Sequence, residues 1–131
     1  MATEILINDG GAPARILPFV AAEDVTAGNA LTFDTSGEVK NANSGDSAGD
    51  QFAVCGYALT TITSGNVVSV ISGHGVILNV NCADLNAGVG LMMGTTDGRL
   101  LAATNATTKP SCQATTLENN SAAGLTKVIT H

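Results

Sequence analysis

The 131-residue sequence has few aromatic and few charged side chains. Aromatic residues make up 3% of it, with one tyrosine, three phenylalanines and no tryptophan, and charged residues make up 12%. That charged share is about half of the share in an ordinary globular protein. The apolar share of 44% is ordinary. We therefore expect one aliphatic core beneath a surface that is polar but mostly uncharged.

Positive charge is scarce, and long hydrophobic segments are absent. Five basic residues face eleven acidic ones, for a net charge of −6, and no basic cluster occurs. Sequence-independent binding of nucleic acid relies on Lys and Arg against phosphates, so we expect no nucleic-acid partner. The apolar segments are too short to cross a bilayer, and the N-terminus does not resemble a secretory signal. We expect no membrane partner and folding in a cytoplasm.

Catalytic and metal-binding patterns are also missing from the sequence. Cys55, Cys82 and Cys112 are odd in number and widely spaced, which favours small buried hydrophobic residues over a disulfide framework. His74 lies between turn glycines, and no nucleophile motif accompanies it. The acidic residues are scattered through loops. The sequence predicts that the protein is not an enzyme and has no cofactor and no metal site.

A short phrase occurs twice in the chain. Residues 24–28 read D-V-T-A-G and residues 84–88 read D-L-N-A-G, each followed by a leucine three residues after the glycine. A turn follows each phrase, T-S-G at 35–37 and T-D-G at 96–98. Matched positions lie 60 residues apart at first and 61 after one inserted residue. Such self-similarity indicates a duplicated structural unit.

The likeness continues past these turns. In both halves a cysteine precedes a Thr-Thr pair, an aliphatic residue, a glycine-containing turn and a strand ending in Val-Ile. The approximate repeats therefore cover residues 24–71 and 84–129. Ala-Gly, Ser-Gly and Asp-Gly pairs are strong turn signals, because glycine adopts a positive φ readily. Structural turns are predicted at Gly28, Gly37, Gly65, Gly88 and Gly98.

The spacing of turns predicts an all-β fold. No segment has a sustained helical period, and short apolar segments alternate with turn signals. This pattern is typical of a small antiparallel β-barrel or sandwich, here with an internal duplication. We expect a single β domain over residues 14–131, preceded by an extended N-terminal arm over residues 1–13.

The arm contains an apolar segment with two possible fates. Ile5, Leu6 and Ile7 precede the chain-breaking sequence Asn-Asp-Gly-Gly. Such a segment either adds a strand to a neighbouring protein or belongs to the domain's own sheet, and the sequence leaves both alternatives open. In the first case Ile5, Leu6 and Ile7, with Arg15 near the root of the arm, are candidate interface residues.

The order of these motifs resembles that of the small capsid cement, or decoration, proteins of tailed bacteriophages. The similar features are an N-terminal arm with N-D-G-G-A-P-A-R, two A-G-x-x-L turns and the strand G-Y-A-L-T-T, and they span nearly the whole chain. The resemblance implies a small β domain, commonly trimeric, on the outside of a shell built from an HK97-fold major capsid protein. It carries over no catalytic residue.

The function that the resemblance implies is structural. We expect a virion protein that is made in the host cytoplasm, binds the outer surface of a phage capsid and stabilises it. Its expected partners are the major capsid protein and further copies of itself in a homotrimer. The alternative is a β-clip or lectin-like binding module, because A-G-x-x-L turns also resemble those of SAF-type domains. The few aromatic side chains offer little surface for stacking on a sugar.

Overall fold

A computed structural model describes residues 5–8, 15–43, 54–94, 96–102 and 114–131, with only the backbone described at 6–8 and 93. These residues form β-strands and turns without any helix, which confirms the predicted all-β fold. No described segment is a helix able to span a membrane. The strands are β1 (Leu6–Asn8), β2 (Arg15–Val20), β3 (Ala30–Phe33), β4 (Val39–Asn41), β5 (Gly56–Ala58), β6 (Val67–Ser72), β7 (Ile77–Cys82), β8 (Gly90–Met93), β9 (Leu100–Ala102), β10 (Ala114–Thr116) and β11 (Gly124–Thr130).

The strands form two sheets, each returning on itself. One has five strands in the order β2-β6-β5-β3-β4, and the other has six in the order β1-β7-β11-β10-β8-β9. A parallel bridge between Ala21 and Val39 joins the two ends of the first sheet. A parallel pairing of Cys82 with Leu100 does the same in the second. All other pairings of the named strands are antiparallel, so the predicted barrel-like arrangement is present twice.

The two sheets are built to one plan. Strands β2 to β6 of the first correspond in order to β7, β8, β9, β10 and β11 in the topology of the second. The strand pairings show which residues of the two sheets correspond. Each residue of β3 matches the residue 60 positions later in the chain. The offset is 61 positions for β2 and β4, and 58 positions for β5 and β6. The internal duplication is therefore real, and it includes β2 and β7. The sequence comparison missed these two strands because they share little beyond an Ile-Leu pair.

The repeated turns have repeated hydrogen bonds. Gly28 N–H donates to the carbonyl of Ala58, and Gly88 N–H donates to the carbonyl of Thr116, both at 2.8 Å. The two glycines have φ of 91° and 80°, so the Ala-Gly phrase encodes the same left-handed turn in each half. Positive φ values also occur at the three other predicted turn glycines, Gly37, Gly65 and Gly98.

Residues 5–8 lie in the domain's own sheet. Strand β1 pairs antiparallel with β7, and Asn79 N–H donates to the carbonyl of Ile5 at 2.8 Å. The Ile5 side chain is 5% exposed and belongs to the main core cluster. Of the two alternatives for this segment, the strand within the domain is the one found, because Ile5 is buried by its own chain. Its candidate role at an interface stays a prediction, and predicted arm residues 1–4 and 9–13 lie outside the described residues.

The core is aliphatic, as the composition predicted. Leu, Ile and Val supply nearly all of the largest fully buried side chains, each stabilising the fold by about 1.5–3 kcal/mol relative to an exposed position. One cluster fills the first sheet. The other combines the interior of the second sheet with residues on the outer face of the first, among them Ala30, Tyr57 and Ile71. The two repeats are therefore packed into one body.

Candidate functional site

A chain of side-chain amides joins the two repeats. Asn29 Nδ2 donates to Asn41 Oδ1 at 2.8 Å, and Asn81 Nδ2 donates to Asn29 Oδ1 at 3.1 Å. At one end Asn41 Nδ2 donates to Glu23 Oε2 at 2.6 Å, and at the other Arg99 Nε donates to Asn81 Oδ1 at 3.3 Å. Because buried amides need partners, this chain positions one repeat on the other. Its role is structural, since each amide is engaged by another side chain.

Backbone hydrogen bonds reinforce this contact between the two repeats, which we call the seam. Ala30 N–H donates to the carbonyl of Gly98, and Gly98 N–H donates to the carbonyl of Ala42, both at 2.9 Å. Asn81 N–H donates to the carbonyl of Gly28 at 2.8 Å. The Ala-Gly turn of the first repeat thus rests on β7 and on the Asp-Gly turn of the second.

A cavity of about 540 Å³ brings together basic groups from distant parts of the chain. Arg15 begins β2, His74 lies in the β6–β7 turn, and His131 follows β11. Among the described residues that line the cavity none is acidic, so an anionic group such as a carboxylate fits its charge. The lining residues are Arg15, Val54, Cys55, Gly56, Tyr57, Ser72, Gly73, His74 and His131.

The sequence pointed to Arg15 but not to the two histidines. Arg15 is brought beside the β6–β7 turn because β2 pairs with β6, which places Arg15 opposite Ser72. His131 is held at the end of β11, where its Nε2 lies 2.6 Å from Thr115 Oγ1. A motif search could not find this cluster, because its members meet only through the pairing of strands far apart in sequence. Of the other predicted interface residues, Ile5 is buried, and only the backbone of Leu6 and Ile7 is described.

The described thiols, Cys55 at the cavity and Cys82 in the core, are not activated for chemistry. Burial raises the pKa of the Cys55 thiol to about 11 and that of the Cys82 thiol to about 12. Burial also raises the pKa of the Tyr57 hydroxyl. The thiolate is the nucleophilic form of cysteine, and at neutral pH both groups are protonated. Within the described parts of the chain no His, Cys, Asp and Glu side chains group together as a metal site would require.

These thiols make the fold sensitive to alkali. An unfolded thiol ionises near pH 9, whereas the folded pKa values are about 11 and 12, so this stabilisation is complete below pH 9 and is lost as pH rises further. We expect the two thiols together to lower the free energy of unfolding by about 2–3 kcal/mol between pH 8 and pH 10. Urea unfolding at the two pH values measures this. A Cys55→Ala, Cys82→Ala variant should lose less over the same interval, and an equal loss would contradict the assignment.

Strand β2 has an exposed apolar side chain on each of its faces. Ile16, Leu17 and Val20 are all exposed, and Val67, which pairs with Val20, has 56% of its surface exposed. We call these four residues the β2 strip. Nearby, the rings of Phe19 and Phe33 pack edge to face with centroids 5.0 Å apart. Single exposed apolar residues are ordinary, but the four on β2 and its neighbour make this edge a candidate interaction surface.

Comparison with known proteins finds a similar fold but no similar sequence. No family model matches the chain, and no curated protein matches it. Among solved structures, the N base of head fiber gp8.5 of bacteriophage phi29 has a similar fold, with a TM-score of 0.62. The match covers 91% of this chain and 95% of that chain at 13% sequence identity.

The likeness concerns the fold over nearly the full length of both chains. At 13% identity it transfers no individual residue, so neither the cavity nor the β2 strip inherits a role from it. What it adds is that this tandem β architecture is shared with the base of a phage head fiber. The sequence resemblance to capsid decoration proteins is independent of that observation, since it rests on turn motifs.

Proposed function

We propose that the protein is a structural component of a phage virion that binds the outer surface of the capsid and stabilises it. The observation that carries the proposal is the end-to-end fold similarity to the base of a phage head fiber. The motif resemblance to capsid decoration proteins points to the same class of protein from different evidence. The expected partner is an HK97-fold major capsid protein.

The basic cavity is the part of the described surface that best fits a capsid contact. Arg15, His74 and His131 lie around it, and the net charge of the rest of the chain is strongly negative. A carboxylate on the capsid surface would find at the cavity Arg15 and the two histidines of the chain, with no acidic side chain among the described lining residues. Arg15 can bind such a carboxylate in a bidentate geometry, which makes it the first candidate for the contact.

The charge of the protein favours the outside of a shell. With a net charge of −6, a position inside would place the chain against packaged nucleic acid, whose phosphates repel it. On the outside the same charge keeps particles apart. The proposed location is therefore the capsid exterior.

Stabilisation by such a protein follows from linkage. A ligand that binds the assembled shell but not separated subunits stabilises the shell by RT ln(1 + [L]/Kd) at each site, about 2.7 kcal/mol at a concentration of 100 Kd. A capsid offers many equivalent sites, so a modest contact repeated over its surface opposes disassembly wherever it occurs. No catalytic step is needed for this function.

The proposal is tested with capsids that carry or lack the protein. We expect decorated particles to resist heat or pressure that opens bare particles, and Arg15→Gln to weaken attachment by roughly tenfold or more, the cost of losing a charged contact. Lys127→Gln makes the same change in net charge away from the cavity and should bind normally. Equal resistance of bare and decorated particles would refute the stabilising role, and normal binding by Arg15→Gln would move the contact elsewhere.

A further inference from the structure

The contact between the two repeats is made by different surfaces on each. In the first repeat the contact surface is the Ala27–Gly28 turn, and in the second it is the outer edge of β7. Asn81 N–H donates to the carbonyl of Gly28 at 2.8 Å. A side chain added at Gly28 would collide with Leu125. Turn and edge therefore fit closely.

Among the described residues, nothing covers the matching surfaces, the Gly88 turn and the β2 edge. Gly88 corresponds to Gly28, yet a Cβ placed on it would have no heavy atom of the described residues within 4 Å. Val20 and Val67 correspond to Asn81 and Leu125, and they lie in the exposed β2 strip. A two-fold relation between the repeats would place the Gly88 turn on β2 of the same chain. The contact is instead head-to-tail, which leaves one turn and one edge without a counterpart in the part of the chain that the structure describes.

The outer faces of the two sheets also differ in how deeply they are buried. Ala30, Tyr57 and Ile71 on the first repeat are at most 4% exposed, because they pack into the shared core. The corresponding residues of the second repeat are Gly90, Thr115 and Ile129, and all three remain half-buried. Among the described residues, the second repeat thus leaves partly exposed the face that the first repeat buries.

The backbone groups on the outer edge of β2 suit binding of a turn better than pairing with another strand. In the second repeat, Asn79 N–H donates to the carbonyl of Ile5, which immediately precedes β1. The corresponding residue in β2 is Pro18, which has no N–H and needs no such partner. Ala21 N–H points to β6, where it donates to Asn66, so the alternation of a strand turns Val20 N–H outward. That is the group equivalent to the Asn81 N–H that binds Gly28.

We propose that a second copy of this chain docks on the β2 edge, with its Ala87–Gly88 turn placed as Ala27–Gly28 is placed on β7. Val20 N–H of one copy would donate to the carbonyl of Gly88 of the next. The contact residues are all uncharged: Pro18, Val20, Val67, Ala87 and Gly88. Although each copy has a net charge of −6, the contact itself therefore brings no like charges together. Head-to-tail contacts close into rings when the rotation permits, and three copies would place six repeats in one ring. The inference does not depend on capsid binding.

Association in solution is the first test. Light scattering coupled to size exclusion should show oligomers of the full chain, and Val67→Asp should weaken their association by roughly tenfold or more, as expected for a charge at the centre of an apolar contact. Thr63→Asp adds the same charge in the β5–β6 connection, outside the β2 strip, and should leave association unchanged. A monomer at every concentration, or normal association of Val67→Asp, would overturn the inference.

Cross-linking tests the head-to-tail geometry. Val67→Cys and Gly88→Cys variants, mixed under mild oxidation, should form a disulfide between copies that mass spectrometry distinguishes from the native cysteines. Neither variant alone should form that dimer in comparable yield. A dominant Val67→Cys homodimer would indicate that two β2 edges pair symmetrically, which overturns the proposal. If the unmodified protein is a monomer and Val67→Asp abolishes capsid binding, the β2 edge contacts the capsid and not a second copy, which also overturns the proposal.

Discussion

Replacing Gly98 with alanine is expected to lower the free energy of unfolding by about 3 kcal/mol or more. Gly98 has a φ of 71°, where a Cβ costs about 1–2 kcal/mol. The new Cβ would also lie 2.5 Å from Cγ and 2.6 Å from Cβ of Asn29. Asn29 cannot yield cheaply, because it is buried and holds the centre of the amide chain. Displacing it leaves buried polar groups unpaired, at about 1–3 kcal/mol each.

The duplication supplies the control for this experiment. Gly37 is the corresponding residue of the first repeat, with a φ of 88° and no heavy atom within 4 Å of an added Cβ among the described residues. Gly37→Ala should therefore cost only the backbone strain of about 1–2 kcal/mol. Urea unfolding followed by far-UV circular dichroism gives both free energies. Equal losses in the two variants would mean that the seam between the repeats does not contribute beyond the turn itself.

Replacing Ile5 with alanine is expected to lower the free energy of unfolding by about 2–4 kcal/mol, the usual cost of a large-to-small change in a core. Ile5 is 5% exposed, and its Cδ1 lies 3.6 Å from where a Cβ on Gly28 would stand. The side chain thus packs where β1, β7 and the Ala27–Gly28 turn meet. Removing it leaves a cavity at the contact between the repeats.

The exposed Ile16 makes a matched control, because 47% of its surface is already in contact with solvent. Ile16→Ala should change the free energy of unfolding by about 1 kcal/mol or less. Both variants are compared by urea unfolding of the free protein, in the absence of any capsid. If Ile5 served only to clamp a partner, Ile5→Ala would leave the free protein unchanged, and that result would contradict the burial of this strand.

The burial of Ile5 also affects how an N-terminal truncation of this protein is interpreted. Deleting residues 1–12 removes β1 and exposes the edge of β7, so a loss of capsid binding after that deletion would reflect damage to the domain. Arg15→Gln and Val67→Asp are cleaner tests, because both positions are exposed and lie outside the core. Attachment to a capsid and attachment between copies can then be separated by two single substitutions.

The sequence by itself determined the local geometry of this protein. Turns at Gly28 and Gly88 were predictable because a positive φ is cheap only for glycine. The repeat was visible because both halves use the same Ala-Gly phrase, and the all-β fold followed from short apolar segments between turns. The aliphatic core followed from composition. These features depend on single residues or on neighbours a few positions apart.

Only the tertiary structure decided which surfaces meet. The fate of Ile5 was open in the sequence because an apolar strand pairs equally well with its own sheet or with another protein's. Arg15, His74 and His131 came together only through the registers of β2 with β6 and of β11 with its neighbours. The head-to-tail seam was equally hidden, because two similar repeats can pack symmetrically or in sequence. That choice depends on shape and hydrogen bonding across residues far apart in the chain, which no local pattern records.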